Sequence, residues 1–286
     1  MKLSFQLKHL TCRVLFMAPV LLVCVTEPVI AAPTLPAAAS TLDVCQDDAT
    51  GNWRYSGVVS LSGNSLALNS VITIDYAIQN QRSSGYSDAL HAVRLADDPA
   101  VSSGTSARVA RFSVDAAPLL LGTLRNASRI VIVDPLNLSA APISLEPRFD
   151  FIAPVCGCPK PTGCTRTQGY WKSKPGVFWP TPYSRAAMFF SSGLTWQHIL
   201  ETPPAGGNGY LILAHQYIAA LLNRASGASA PGSLQTVIAN ASACFSAGTN
   251  LDSGGGAACE VQKSWAGILD TYNNGEYPGA PRHCPE

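Results

Sequence analysis

His198 and Glu201 stand three residues apart, and His215 follows on the next predicted element. Two imidazoles and a carboxylate are the ligand set of a catalytic zinc centre that keeps one position open. The spacing admits that chemistry only if two helices face each other, and the chain has no HExxH pair. A hydrolase centred on His215, metal-assisted or not, is therefore an alternative rather than the first reading. Serine chemistry has no Gly-x-Ser-x-Gly elbow to support it. Cysteine chemistry with His215 as base is disfavoured in an oxidising compartment.

The element that must position His215 is the stretch Gly209 to Gly227, GYLILAHQYIAALLNRASG. Asn208 is placed to cap its first turn, and Gly227 to close its last in the left-handed region. Tyr210, Ala214, Tyr217 and Leu221 form a stripe at helical spacing, widened by Leu211, Ile218 and Leu222. A helix apolar nearly all round is a buried one. It is near the lower limit for a membrane span, but His215, Gln216, Asn223 and Arg224 mark it as the spine of a soluble module. Gln216 and Asn223 nearly coincide on the wheel, with His215 about 100° away. Buried polar groups need partners. His215, Gln216 and Asn223 are accordingly expected to form a structural network that locks neighbouring loops. The competing reading is a ligand site at His215.

Tyr170, Trp171, Phe178, Trp179, Tyr183, Phe189, Phe190 and Trp196 crowd into a short Pro-rich run. Most must be core, because a small helical module needs large side chains to bury area. The rest can form a sugar- or peptide-binding platform. Its candidate binding residues are Gln168, Tyr170, Trp171, Trp179, Tyr183 and His215, with Lys172 and Lys174 available for cation–π or carboxylate contacts. Further helices are expected: Thr195 capping one through Leu200, Ser233 capping another, and a last one over Ala257 to Tyr272.

Three ordered segments carry a resemblance: Cys164 to Lys172 (CTRTQGYWK), Leu200 to Asn208 (LETPPAGGN) and Leu213 to Asn223 (LAHQYIAALLN). Over about 164–245 the chain resembles a recurring module of exported, mostly bacterial proteins, in which a TQGYWK segment precedes an LAHQ helix. That module often sits beside immunoglobulin-like repeats or surface anchors. The resemblance implies an extracellular or surface setting and assigns no chemistry. Where such modules often read Lys-Asn-His, this chain has Lys172-Ser173-Lys174, so no histidine is available there.

Upstream, Lys2, Lys8 and Arg13 precede the apolar run Val14 to Val25, and Val29 and Ala31 have signal-peptidase spacing. Residues 1–31 are thus expected to be a secretory signal peptide. A Pro/Ala linker follows over 32–42. Over 43–158 the pattern is of strands: Val58, Val59 and Leu61, a Gly63-Asn64-Ser65 turn, then strict alternation over 71–79. Arg108 to Val114 and Ile130 to Val133 read likewise. This predicts an antiparallel β-sandwich, immunoglobulin-like. A Pro-rich hinge (159–163) and a small disulfide-pinned α-helical module (164–286) complete the expected architecture.

Nine cysteines are present, and Cys12 and Cys24 fall in the signal. Cys45, Cys156, Cys158, Cys164, Cys244, Cys259 and Cys284 remain as disulfide candidates. An odd number leaves one free or bonded to another chain. Expected pairs are Cys45 with Cys156 or Cys158, Cys244 with Cys259, and Cys164 with Cys284. Export favours disulfides over a metal knuckle, so no metal and no cofactor are expected. Only 13% of residues are charged and the net charge is +1, which gives no sign of nucleic acid as a partner. No second long apolar run predicts a membrane span. The sequence reads as an exported, non-enzymatic protein whose helical module binds a glycan, an envelope polymer or a protein surface. A purely structural wall or matrix role is the other alternative.

Overall fold

The computed structural model describes residues 37–47, 52, the strands named below, 158–248 and 261–285. The signal peptide and the Gly63-Asn64-Ser65 segment read above lie outside the described residues. Among the described residues the strands come first: β1 (Ala37–Ser40), β2 (Asp43–Gln46), β3 (Trp53–Ser62), β4 (Val71–Arg82), β5 (Gly85–Ser87), β6 (Val93–Arg94), β7 (Ala107–Ala116), β8 (Thr123–Val133), β9 (Ile143–Leu145) and β10 (Arg148–Ile152). Five α-helices follow among the described residues: α1 (Gln168–Ser173), α2 (Trp196–Glu201), α3 (Gly209–Ala225), α4 (Gly232–Ser246) and α5 (Gln262–Asn273).

The strands expected from alternation are present, but their assembly corrects the sandwich reading. β3 pairs antiparallel with β1, β2 and β7, forming a small open sheet of four strands. β4 does not pair with β3, as a tight reversal between them would require. It pairs with β8 in a second antiparallel set, at a register that places Ile74 opposite Ile130. What packs along the four-stranded sheet is chiefly helix. α5 packs on β1, β3 and β7, and Val58 and Val109 join one hydrophobic cluster with α3, α4 and α5. An immunoglobulin-like sandwich is therefore not the architecture. Alternation identifies a face that must be covered, but it does not say by what; here an apolar helix does it. Ala37–Ser40, inside the Pro/Ala stretch read as a linker, supplies β1.

The helix ends follow local chemistry. Thr195 Oγ1 accepts from His198 N at 3.2 Å, starting α2 where expected. Asn208 Oδ1 accepts from Leu211 N at 3.1 Å, starting α3. Gly227 follows α3 with φ +96°, closing it in the left-handed region. α4 departs from expectation: Ser233 is its second residue, and Pro231 at the cap has no side-chain bond. The cap comes from β2 instead. Asp43 Oδ1 accepts from Ser233 N at 2.9 Å, and Asp43 Oδ2 accepts from Ser233 Oγ. A carboxylate suits a helix N-terminus, where unpaired amides carry partial positive charge. The buried Tyr277 hydroxyl completes the knot, 2.8 Å from both Thr41 Oγ1 and Ser233 Oγ. Burial, then the nearby Asp43 charge, pushes the Tyr277 phenol far above its ordinary range.

Two disulfides close long loops. Cys45 bonds Cys158 across 113 residues and Cys164 bonds Cys284 across 120. Cys244 is disulfide-bonded as well; Cys156 and Cys259 lie outside the described residues. The C-terminal tail is clamped beyond its cystine. Thr165 N donates to Arg282 O at 3.1 Å, and Cys284 N donates to Thr165 O at 2.9 Å. Gly275 makes this clamp possible. It has φ +72°, and a Cβ there would stand 1.9 Å from His283 N. Gly275→Ala is therefore expected to lower stability by about 2–3 kcal/mol, read as a fall in urea midpoint. No helix among the described residues is long and apolar enough to cross a membrane.

Candidate functional site

Two neighbouring constellations hold the chemistry-bearing residues: a polar knot inside the module and an aromatic face on its surface. The knot is centred on Asn223, which is fully buried. Asn223 Oδ1 accepts from Arg166 N at 2.8 Å and from Trp171 Nε1 at 3.0 Å. Its Nδ2 donates to Arg166 O at 2.8 Å and to Asn273 Oδ1 at 3.0 Å. Asn273 Nδ2 in turn donates to Gln216 Oε1 at 2.9 Å and Gln216 O at 3.0 Å. The Asn223 amide thereby uses both of its hydrogens and both acceptor sites. Two turns of α3 put Gln216 and Asn223 on the same side, and α5 brings Asn273 between them. Asn273 was not singled out from sequence. Its signal is positional: it lies four residues beyond the inward-facing Leu269, on the buried face of α5.

His215 is not part of this knot. Its Nε2–H donates to Ile199 O, at 2.8 Å, near the C-terminus of α2. A carbonyl can only accept, so this bond fixes the tautomer and commits Nε2 to structure. Burial lowers the His215 pKa below its ordinary 6.5; the Ile199 and Thr202 backbone oppose this, and Lys172 adds to it. A histidine held neutral in the folded state contributes stability above pH about 6.5, which is lost as pH falls through the lowered folded value. His215→Gln is expected to flatten the acid limb of stability between pH 7 and the folded pKa. Urea titrations across that window measure it.

The aromatic residues divide between core and surface. Trp171 is buried with its indole N–H spent on Asn223, so it belongs to the core and not to an exposed platform. Phe189 is the hub, meeting Tyr210, Tyr217, Phe245 and Trp196 edge-on with centroids 4.9–6.3 Å away. Tyr210 is pushed up to about 12 by burial, against a Ser192 hydrogen bond. Tyr217 and Tyr272 are also raised, chiefly by burial. These shifts keep the phenols protonated and move their pKa values further from pH 7, opposite to what general acid–base work there requires.

Trp179, Tyr183 and Trp196 are half-buried and lie together. Trp196 is 5.3 Å from Tyr183 and 6.4 Å from Trp179. Trp179 Nε1 donates to Trp171 O at 3.1 Å, and Trp196 Nε1 donates to Met188 O at 3.2 Å. The residue that holds this face is Arg185. Its guanidinium stands 4.8 Å from the Trp179 ring centroid and donates to Lys172 O, Val177 O and Gln197 Oε1. Gln197 Nε2 donates to Lys172 O and Glu201 Oε1. Sequence reasoning missed Arg185. The available signal was a lone arginine in a Pro-rich run whose carbonyls have no ladder to accept from. Tyr170 sits edge-on to Trp171, with Arg166 over its ring at 4.5 Å. Gln168 opens α1 and is half-buried.

The His198, Glu201 and His215 set does not come together. His198 is exposed, Glu201 accepts from Gln197, and His215 is bonded to Ile199. Among the described residues no group of three His, Cys, Asp or Glu is placed to hold a metal ion. Comparison with family models, with curated proteins and with solved structures found no match.

Proposed function

We propose that this chain is an exported, non-enzymatic protein of the cell surface or extracellular space. Its helical module presents the Trp179–Tyr183–Trp196 face to a glycan, an envelope polymer or a protein partner. One observation carries the reading: the face is built on fixed groups, with both indole N–H groups bonded to backbone carbonyls and Arg185 braced beneath Trp179. Arg185 donates to the Lys172 and Val177 carbonyls and to Gln197 Oε1, and Gln197 donates to Lys172 O and Glu201 Oε1, so the loop is pre-organised for contact rather than poised for reaction. Pre-organisation reduces the ordering cost of association. Export is supported by the basic start, apolar run and small-residue spacing of the first 31 residues, and by the cystines. The similarity to exported TQGYWK/LAHQ modules points the same way.

The test is a binding screen of the oxidised full chain against glycans, envelope polymers and surface proteins, with Tyr183→Ala as control. Tyr183 is half-buried at the rim of the face, so its loss is expected to weaken binding about tenfold while leaving the fold intact. Silence across the panel would count against the proposal.

A further inference from the structure

Among the described residues the exposed large hydrophobics are Phe178, 92% exposed, and Met188, 55% exposed. Both are joined to the same aromatic face. Phe178 immediately precedes Trp179, and the Met188 carbonyl accepts the Trp196 indole N–H. The Trp179 and Trp196 indole donors are spent on Trp171 O and Met188 O. What remains outward is apolar surface and the ammonium groups of the exposed Lys172 and Lys174. The charge pattern is lopsided over a longer range. Between Asp150 and Asp252 the sequence holds six Lys or Arg and a single acid, Glu201, which accepts from Gln197. A protruding phenyl ring on a Pro-Gly loop, flanked by lysines and almost free of nearby carboxylates, complements one kind of surface: negative charge lying above hydrocarbon.

We propose that the Phe178 loop docks on an anionic lipid bilayer. Phe178 enters the boundary between headgroups and acyl chains, while Lys172 and Lys174 meet the headgroup phosphates. A ring that stands clear of its neighbours does not line a groove for a polymer, and a fluid bilayer needs no preformed pocket to receive it. Arg185 fixes the base of the loop, so insertion costs little ordering. The inference goes beyond a polymer- or protein-binding role, and the vesicles that test it contain neither.

The experiment is flotation of the oxidised full chain with vesicles of pure phosphatidylcholine, or with about one third phosphatidylglycerol. Binding is expected with the anionic vesicles only, and is expected to be lost in high salt. Phe178→Ser should weaken it about tenfold or more. Lys172→Gln with Lys174→Gln should weaken it by a comparable factor, at about fivefold per lysine. All three side chains are exposed, so circular dichroism and the urea midpoint should match the parent. Lack of binding to anionic vesicles at low salt would overturn the proposal. Equal binding to neutral vesicles would overturn it too. So would soluble polyglutamate binding as tightly as the vesicles with Phe178→Ser unaffected, since the occupant would then be a polyanion or acidic protein segment.

Discussion

Asn223→Ala is expected to lower the unfolding free energy of the helical module by about 4 kcal/mol, the largest effect of any single substitution in α3. The side chain bonds the Arg166 N–H, the Arg166 carbonyl, the Trp171 indole N–H and Asn273 Oδ1. Truncation leaves these groups with reduced or no pairing in a fully buried site. Each orphaned buried group costs about 1–3 kcal/mol, and shared relaxation keeps the sum below simple addition. Asn223→Asp should be as damaging despite its shape. It retains an acceptor for Trp171 and Arg166 N, but sets a second oxygen against Arg166 O and Asn273 Oδ1. Gln216→Ala removes one acceptor, since Asn273 keeps the Gln216 backbone carbonyl, and should cost about 1–2 kcal/mol. Urea unfolding with an unchanged slope checks the series. An Asn223→Ala protein as stable as the parent would show that the knot does not hold α1, α3 and α5 together.

The second large effect is expected from Cys164→Ser with Cys284→Ser. That cystine closes a loop of 120 residues, and the chain-entropy model assigns a crosslink of this span about 5 kcal/mol. Part of that is retained by the backbone clamp at Thr165, Arg282 and Cys284, so a loss of about 3–5 kcal/mol is expected. Hydrogen exchange should show the clamp amides of Thr165 and Cys284 losing protection before those of α3. Unchanged protection at both amides would mean that the clamp holds without its covalent bond.

How far the sequence reveals this structure depends on the range of the interaction. α3 was legible almost to the residue, because Asn208, the apolar surround and Gly227 are all local signals. α2 was legible through Thr195 for the same reason. The start of α4 was misread because its cap, Asp43, lies 190 residues away in β2. The strands were visible in their alternation, but the partner of each face was not. Nothing local to β3 says that α5 will cover it, or that β4 will leave for another sheet. The Pro/Ala stretch hid β1, because edge pairing uses backbone groups that every alanine carries.

Within the site the same division holds. Seven-residue spacing correctly placed Gln216 and Asn223 on one side of α3, while the residue joining them, Asn273, arrives from a distant helix. His215 was grouped with them as sharing one broad side of the wheel, yet its offset of about 80–100° sends it to the Ile199 carbonyl of α2 instead. Aromatic crowding marked the surface face. It did not distinguish Trp171, whose indole is committed inward, from Trp179 and Trp196, which flank the exposed Phe178 and Met188.

In the proposed reading the aromatic face binds, and the polar residues of α3 hold the fold. The most direct test pairs Tyr183→Ala with His215→Gln in the oxidised full chain, scoring binding to the glycan, polymer and protein panel, turnover, and the urea midpoint. The expected result is that Tyr183→Ala loses binding about tenfold at unchanged stability, while His215→Gln alters stability toward acid pH and leaves binding intact. A turnover that disappears in His215→Gln with the fold preserved would contradict the account and return His215 to the centre of a reaction.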